Sequence, residues 1–580
     1  MGSLETDRIL IVGAGSAGLI TAHTFIQDGF QHVDIVTRDP TPGGIWSSVR
    51  VYPGLIINNI QGEYRFSCLE QPPPPPTENG DIRQDIRLSG QELQAYMEKF
   101  VQSFLPDRIR YNTEVLNIRA TARGGESPPQ GDNYVWAVMM EDLTTKVVKI
   151  HEYDKLILCT GGCSEPYCPL GLSPKDARLS GFQGPVIHSC DYGARSQEVL
   201  DAVKPASEGG GAVVVIGGGK SASDTAALMA EQGRKVTMIY TTLDAAVASP
   251  IPLPGWFARG RFFSALSPHI ELRTSLEHFL HTTWVGSKIV HGFWDAYQWL
   301  AFRTLNVPNG SPLRRAPKLF WSTHANNQGS SALGVFYRKV NEGAIDVIAP
   351  ARVKCFSEDH QAIVLEDGRL VPAEAVILGT GYSSSWNRLF DKAAMEELGL
   401  GCRAPHPATD YYRWDYPTLD YHTPPANPAN KVATASVYRG IVPAKNILRR
   451  NFAINGAVFT TNPGYCYETT AHWIASYFRG DKFLRLPSSA EDALASAAYN
   501  SAWLRRRYPD VHMSANDSVR TDLALWCWPQ MLDTLLNDMS LPSMRSGGNG
   551  LTWPFQVIDV KEIANLREER EALRNAMAQD

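Results

Sequence analysis

The sequence predicts an α/β protein built from two units of one kind, the second inserted into the first. Three observations predict it. A glycine turn between an apolar strand and a helix opens the chain. The same arrangement returns near residue 213. Each unit closes on an apolar strand that ends in Thr-Gly, so one supersecondary unit repeats.

The chain has 580 residues, enough for two or three domains with sizeable cores. Its 43 % apolar and 20 % charged residues are those of an ordinary globular protein rather than a disordered or membrane-embedded chain. A net charge of −5 gives no basic footprint for nucleic acid. The nine cysteines are scattered and odd in number, which excludes a disulfide framework and points to a reducing, cytoplasmic setting. The first strand begins near Arg8, leaving no room for a signal peptide. No stretch is long and charge-free enough for a transmembrane helix.

In chain order, Ile9-Leu10-Ile11-Val12 is a strand, Gly13-Ala14-Gly15-Ser16-Ala17-Gly18 a turn, and Leu19 to Gln27 a helix stopped at Asp28-Gly29. This is the context of a dinucleotide site. The first Gly makes the turn, the second removes a side chain where pyrophosphate approaches, and the third lets helix and strand pack. The helix N-terminus offers free N–H groups and a positive dipole end to the phosphates. Val33 to Val36 is the next strand, followed by Gly43-Gly44-Ile45-Trp46 and Asn58-Asn59. Pro72 to Pro76 reads as a stiff loop. Ser89 with Glu92 forms a capping box before a helix whose apolar face, Leu93 to Phe104, is core. The polar stretch 124–132 is a loop, and Leu156 to Gly162 closes the first unit.

The second unit runs Val213 to Ile216, Gly217-Gly218-Gly219-Lys220-Ser221-Ala222, a helix to Gln232 stopped at Gly233, and a strand from Val236 to Tyr240. Its stop glycine lies at the same offset from the first motif glycine as in the first unit. It closes with Val376 to Leu378, Gly379, Thr380, Gly381 and Tyr382. Two such sites in one chain imply a flavin and a nicotinamide. Between helix and closing strands lies an aromatic-rich insert, about 245–331, with residues such as Trp256, Phe263, Trp294 and Tyr297. Two readings stay open: a helical subdomain with its own core, or a substrate-tunnel wall or membrane-contacting face.

Phe182-x-Gly184-x-x-x-His188-Ser189-Cys190-Asp191-Tyr192 lies between the two glycine motifs and resembles the fingerprint of the class B flavin-dependent monooxygenases. Gly43 to Trp46, Gly217 to Ala222 and Thr380-Gly381-Tyr382 carry the same resemblance, which spans roughly 8–240 and 370–480. The segment ends in Tyr192-Gly193, where Baeyer–Villiger enzymes have Trp followed by Pro or Asp, so it looks more like the flavin-containing monooxygenases that act on nitrogen and sulfur. Those often have a basic residue where Gly193 stands. The insert lies outside the basic family pattern.

The resemblance implies two Rossmann-like domains, with an NAD(P)H domain at 177–381 inserted between FAD-domain segments 1–176 and 382–580. It implies FAD contacts at Gly13, Gly15, Ser16, Ala17, Gly18, Thr37, Arg38, Gly44, Ile45, Trp46, Val115, Thr160 and Gly161. NADPH contacts are expected at Gly217, Gly219, Lys220, Ser221, Ala222, Tyr240, Thr241, Thr242, Thr380 and Gly381. Asn58 stands where the family carries an active-site amide, with Asn59 the adjacent alternative.

Two departures change details. Thr37 replaces the acidic ribose ligand, and no Arg follows Tyr240 to clasp a 2′-phosphate, which leaves that charge to Lys220 and neighbouring hydroxyls. His188 either braces the interdomain hinge or moves a proton.

The implied reaction is insertion of one oxygen atom of O2 into a small molecule through a flavin C4a-peroxide, with N- or S-oxygenation ahead of Baeyer–Villiger chemistry. A disulfide reductase would need a cysteine pair at the flavin, which Cys159-x-x-x-Cys163 does not supply. A non-catalytic flavoprotein would be expected to lose one glycine motif. The partners expected are a small substrate and O2, with peripheral membrane contact as a further option; the motifs carry no substrate signature and none for oligomeric state.

Overall fold

Apolar runs bounded by glycine turns set the first unit. Strand β1 (Arg8–Val12) leads into helix α1 (Ser16–Gln27) and strand β2 (His32–Val36). Strand β3 (Ile56–Ile60), helix α2 (Gly90–Phe104), β4 (Ile109–Arg110) and β5 (Lys155–Leu158) follow. The second unit comprises β6 (Val186–His188), β7 (Ala212–Ile216), α3 (Lys220–Glu231) and β8 (Lys235–Ile239). Then come β9 (Ala245–Ser249), α4 (Trp284–Thr304), β10 (Ala325–Ser330), β11 (Ile345–Ile348) and β12 (Ala375–Leu378). The last part carries β13 (Phe452–Ile454), α5 (Pro463–Arg479) and α6 (Trp528–Asp538). This computed structural model describes residues 4–73, 87–123, 134–330, 335–358, 361–401, 412–431 and 436–579. The loop read at 124–132 and most of the proline run, 74–76, lie outside the described residues.

Two parallel five-stranded sheets result. The first has the order β13-β5-β1-β2-β4, so a strand from late in the chain completes the sheet begun at its start. The second has the order β6-β12-β7-β8-β11. Parallel strands covered on both faces must be apolar throughout. Strands β5, β7 and β12 are buried at every residue, which is why they read as Val/Ile/Leu/Ala-type runs apart from Lys155 at the start of β5, which pairs with Asp7.

The repeat extends to the backbone. Gly13 has φ +111°, and a β-carbon there would lie 2.3 Å from the Cys159 carbonyl oxygen. Gly217 has φ +132°, and a β-carbon there would lie 2.1 Å from the Gly379 oxygen. Each turn glycine is thus pressed against the residue that follows its closing strand. The capping box of α2 is present, and Leu93, Tyr96, Met97 and Phe100 face the core. Trp473 and Tyr477 of α5 are fully buried and stack at 5.5 Å.

The insert does not have a core of its own. Phe263, Leu280, Trp294, Tyr297, Phe320 and Trp321 pack in one cluster with Leu419, Trp503, Tyr508 and Val519 from beyond the second sheet. Polar bonds join the same two parts. Arg261 pairs bidentately with Asp533 of α6 at 2.6 and 2.9 Å, both side chains buried. The Gln530 amide donates to the Ser264 carbonyl at 2.9 Å.

Candidate functional site

A cavity of about 640 Å³ opens at the first glycine turn and runs under the insert. Gly13, Gly15, Ser16 and Ala17 line it from the turn and the start of α1. Thr37 and Arg38 line it from the end of β2, with Gly44, Ile45 and Trp46 on the opposite lip. Val115, Thr160 and Gly161 complete this end. Gly18 does not line the cavity. A β-carbon there would sit 1.9 Å from the Gly13 oxygen, so it serves helix–strand packing.

Gly15 is the informative glycine. Its φ of −76° is ordinary backbone, and no side chain caps α1. The nearest atom to a β-carbon built there is the Gly44 α-carbon at 3.7 Å. The free N–H groups of the first turn of α1 therefore face open space between two glycine lips. A pyrophosphate needs such a space at a helix N-terminus, and the first unit fits a dinucleotide of the FAD type.

The second glycine turn differs. Lys220, Ser221 and Asp224 line the cavity, but Gly217, Gly219 and Ala222 do not. At the N-terminus of α3 the Lys220 N–H donates to Asp244 Oδ2 at 3.0 Å. The Asp244 N–H in turn donates to the Gly218 carbonyl at 2.9 Å. An internal carboxylate thus stands at the anion position of the second unit. Burial pushes its pKa up.

The residues expected to hold the nicotinamide nucleotide stand in these surroundings. The Lys220 ammonium is paired with Asp224, one turn on in the same helix. The Tyr240 hydroxyl is buried without a partner in the core of the second sheet. Tyr240, Thr241, Thr242, Thr380 and Gly381 do not line the cavity. The Thr380 hydroxyl donates to the Tyr167 carbonyl at 2.5 Å, and Gly381 O accepts from Tyr167 N–H at 2.9 Å.

His188 acts at this crossing. Its Nδ1 accepts from Cys190 N–H at 3.2 Å, which places the proton on Nε2, 3.1 Å from the Gly381 oxygen. Burial lowers its pKa, which favours the neutral ring, and both of its hydrogen bonds stay within the second unit.

Asn58 and Asn59 both border the cavity, but only one amide is available. The Asn58 amide nitrogen donates to Ala325 O at 2.7 Å, and its oxygen accepts from Asn327 N–H at 2.9 Å. Both ends of that carboxamide are used in tying β3 to β10 of the insert. Asn59 donates to Thr461 O at 2.7 Å and to Glu63 Oε2 at 3.3 Å. Among the described residues its amide oxygen accepts no hydrogen bond and is not shut away from the cavity.

Glu63 was not legible as a site residue. Its Oε2 also accepts from Ile60 N–H at 2.9 Å. Burial pushes this carboxyl up to about 8. Its position four residues after Asn59 is the signal that a sequence reading could have used. Asp244 gave no such signal, because its cap bridges residues far apart in the chain.

Among the described residues no two cysteines form a disulfide. Cys159 is buried beneath the first glycine turn, its Sγ 4.0 Å from the Thr21 hydroxyl, and burial pushes its thiol up to about 12. All eight described cysteines are free thiols. No helix among the described residues is long and apolar enough to cross a membrane.

Comparison with known proteins agrees with this geometry. Residues 7–247 match the family described as pyridine nucleotide-disulphide oxidoreductase. An FAD-dependent monooxygenase of Alternaria brassicicola is 26 % identical, over 95 % of this chain and 92 % of that protein. One from Aspergillus nomiae is 25 % identical, over 86 % of this chain and 88 % of its own length. Among solved structures, cyclohexanone monooxygenase from Rhodococcus sp. Phi1 bound to NADP+ has the same fold. Its TM-score is 0.58 at 14 % identity, over 93 % of this chain and 98 % of that one. Residues 7–247 thus match a pyridine nucleotide-disulphide oxidoreductase domain, and most of the chain is similar to FAD-dependent monooxygenases, which are oxidoreductases.

Proposed function

We propose that the chain is an FAD- and NADPH-dependent monooxygenase that places one oxygen atom of O2 on a nitrogen or sulfur atom of a small organic substrate. The observation that carries the reading is the open N-terminus of α1 between Gly15 and Gly44, at the head of a cavity of about 640 Å³ that runs under the insert. When bound, reduced FAD supplies the oxygen-activating chemistry. The chain's residues do the rest. The first turn of α1 holds the pyrophosphate. Asn59 offers an amide oxygen to the cofactor, while Thr461 and Glu63 fix its nitrogen end. Gly44, Ile45 and Trp46, with the insert above, keep water from the reacting atoms.

The choice of nitrogen or sulfur is supported by Tyr192-Gly193 at the end of the fingerprint. A β-carbon at Gly193 would lie 2.7 Å from the Arg50 carbonyl oxygen. The Pro or Asp of the Baeyer–Villiger fingerprint would therefore force the Arg50 segment to move. A cytoplasmic setting is supported by the free thiols. Peripheral contact with a membrane is supported by exposed Trp284, Val285, Ile289 and Trp299 along α4.

The test is NADPH oxidation in the presence of O2 with a thioether, an amine and a ketone of similar size, with products identified by mass and fragmentation. A sulfoxide or N-oxide is expected. An ester formed from the ketone, with no product from the other two, would assign Baeyer–Villiger chemistry instead.

A further inference from the structure

We infer that the end of the cavity under the insert is a chamber for a neutral, aromatic-sized molecule bearing a hydrogen-bond acceptor, and that it excludes protonated amines. This rests on the monooxygenase reading and narrows its substrate class.

The cavity divides by charge along the chain. Every carboxylate and cationic side chain that lines it comes from residues 38–224 or is Arg388. Every lining residue from 247–329 and 456–528 is uncharged. The second group contains the aromatic wall. The Phe263 ring lies 5.8 Å from Tyr297 at 33° and 5.1 Å from Trp526 at 34°, so three rings form a slanted stack joining the insert to the C-terminal part. Trp528, Leu253 and Leu525 extend the same surface. Flat apolar walls of this kind take up a ring system by area burial and offset stacking.

The wall carries a hydroxyl beside its ring stack. Tyr297 is 6 % exposed, and its hydroxyl has no hydrogen-bond partner among the described residues. The oxygen is not sealed off from contact, and Tyr297 lines the cavity. A hydroxyl without a partner in an apolar wall recognises an acceptor such as a carbonyl, ether or sulfoxide oxygen. A cation entering the chamber would lose its hydration with no opposite charge to replace it. Glu63 borders the cavity, but its carboxyl is held protonated at neutral pH by burial and supplies no countercharge.

The experiment is equilibrium dialysis of the FAD-loaded full chain at neutral pH against three probes with one ring system: naphthyl methyl ketone, ethylnaphthalene and naphthylethylamine. The ketone is expected to bind tightest and the protonated amine at least about tenfold more weakly. In Tyr297→Phe, the ketone should lose its advantage over ethylnaphthalene, about three- to tenfold, while ethylnaphthalene affinity stays the same. Phe263→Arg should weaken both neutral probes. The inference is overturned if the amine binds as well as the ketone, if Tyr297→Phe leaves the ketone's advantage intact, or if the ketone does not bind. Flavin content and NADPH-driven oxygen consumption are read on the same unaltered sample. Their presence with no discrimination among the probes defeats only this inference. Their absence defeats the monooxygenase reading itself.

Discussion

Gly13 and Gly15 are two residues apart and do different work. At Gly13 both the positive φ and the 2.3 Å approach of the Cys159 carbonyl require glycine. At Gly15 the backbone is ordinary and the space beyond it is open. Gly13→Ala should therefore fail to fold or lose much of its stability, since φ strain alone costs about 1–3 kcal/mol. Gly15→Val should fold and yet bind no FAD, because its side chain occupies the pyrophosphate path. Circular dichroism with flavin absorbance separates the two outcomes.

The neighbouring asparagines divide in a similar way. Asn58→Ala removes two hydrogen bonds to β10 and should cost about 1–3 kcal/mol in denaturant unfolding. Asn59→Ala should keep FAD and its reduction by NADPH but release more hydrogen peroxide per NADPH oxidised. Equal coupling in wild type and Asn59→Ala would remove that residue from the site.

Glu63 adds a pH dependence. Its folded-state pKa of about 8 lies above the ordinary 4.5, so the folded chain holds a proton that the unfolded chain has released. Stability from this group is fully present below about 4.5 and is lost as pH rises through about 8. Glu468, held at about 7 by burial, acts in the same sense below that value. Between about pH 7 and 8 the unfolding free energy should fall by up to about 1.4 kcal/mol per unit. Glu63→Gln should flatten that interval in urea titrations at stepped pH.

The two glycine-turn helices share sequence logic but not their surroundings. Helix α1 begins in open space, whereas α3 begins against the Asp244 carboxylate. A nucleotide phosphate approaching α3 has to turn that carboxylate away. Asp244→Asn should tighten NADPH binding about fivefold, from the loss of about 1 kcal/mol of like-charge repulsion at a helix N-terminus. Titration of NADPH into the FAD-loaded protein measures it, and an unchanged or weaker affinity would show that Asp244 moves without cost or serves the nucleotide.

The contrast also marks what was legible in the sequence. Strand, turn, helix and stop glycine are set by neighbours, so both units and their Thr-Gly closures could be read directly. The Asp244 cap joins two loops of the second unit, and the Asn58 bonds join β3 to a strand of the insert. Neither leaves a local spacing pattern. Lys220 is a related case. Its charge was visible, but its ion pair with Asp224 depends on side-chain packing in the turn.

For the whole molecule, the insert is the part least legible from sequence and most involved in the cavity. Its aromatic content fitted either a separate core or a tunnel wall. It does both jobs jointly with the C-terminal part, through the shared cluster around Trp294 and Trp503 and the buried Arg261–Asp533 pair. The chain thereby closes a substrate space over the first sheet while strands from both ends of the sequence complete that sheet. The central claim is that this space serves oxygen transfer. The most direct measurement is turnover of a thioether under isotopically labelled O2 with NADPH, followed by mass spectrometry of the product. The account predicts one labelled oxygen atom in each product molecule from protein that carries FAD. Label absent from the product, or oxygen drawn from water, would contradict it.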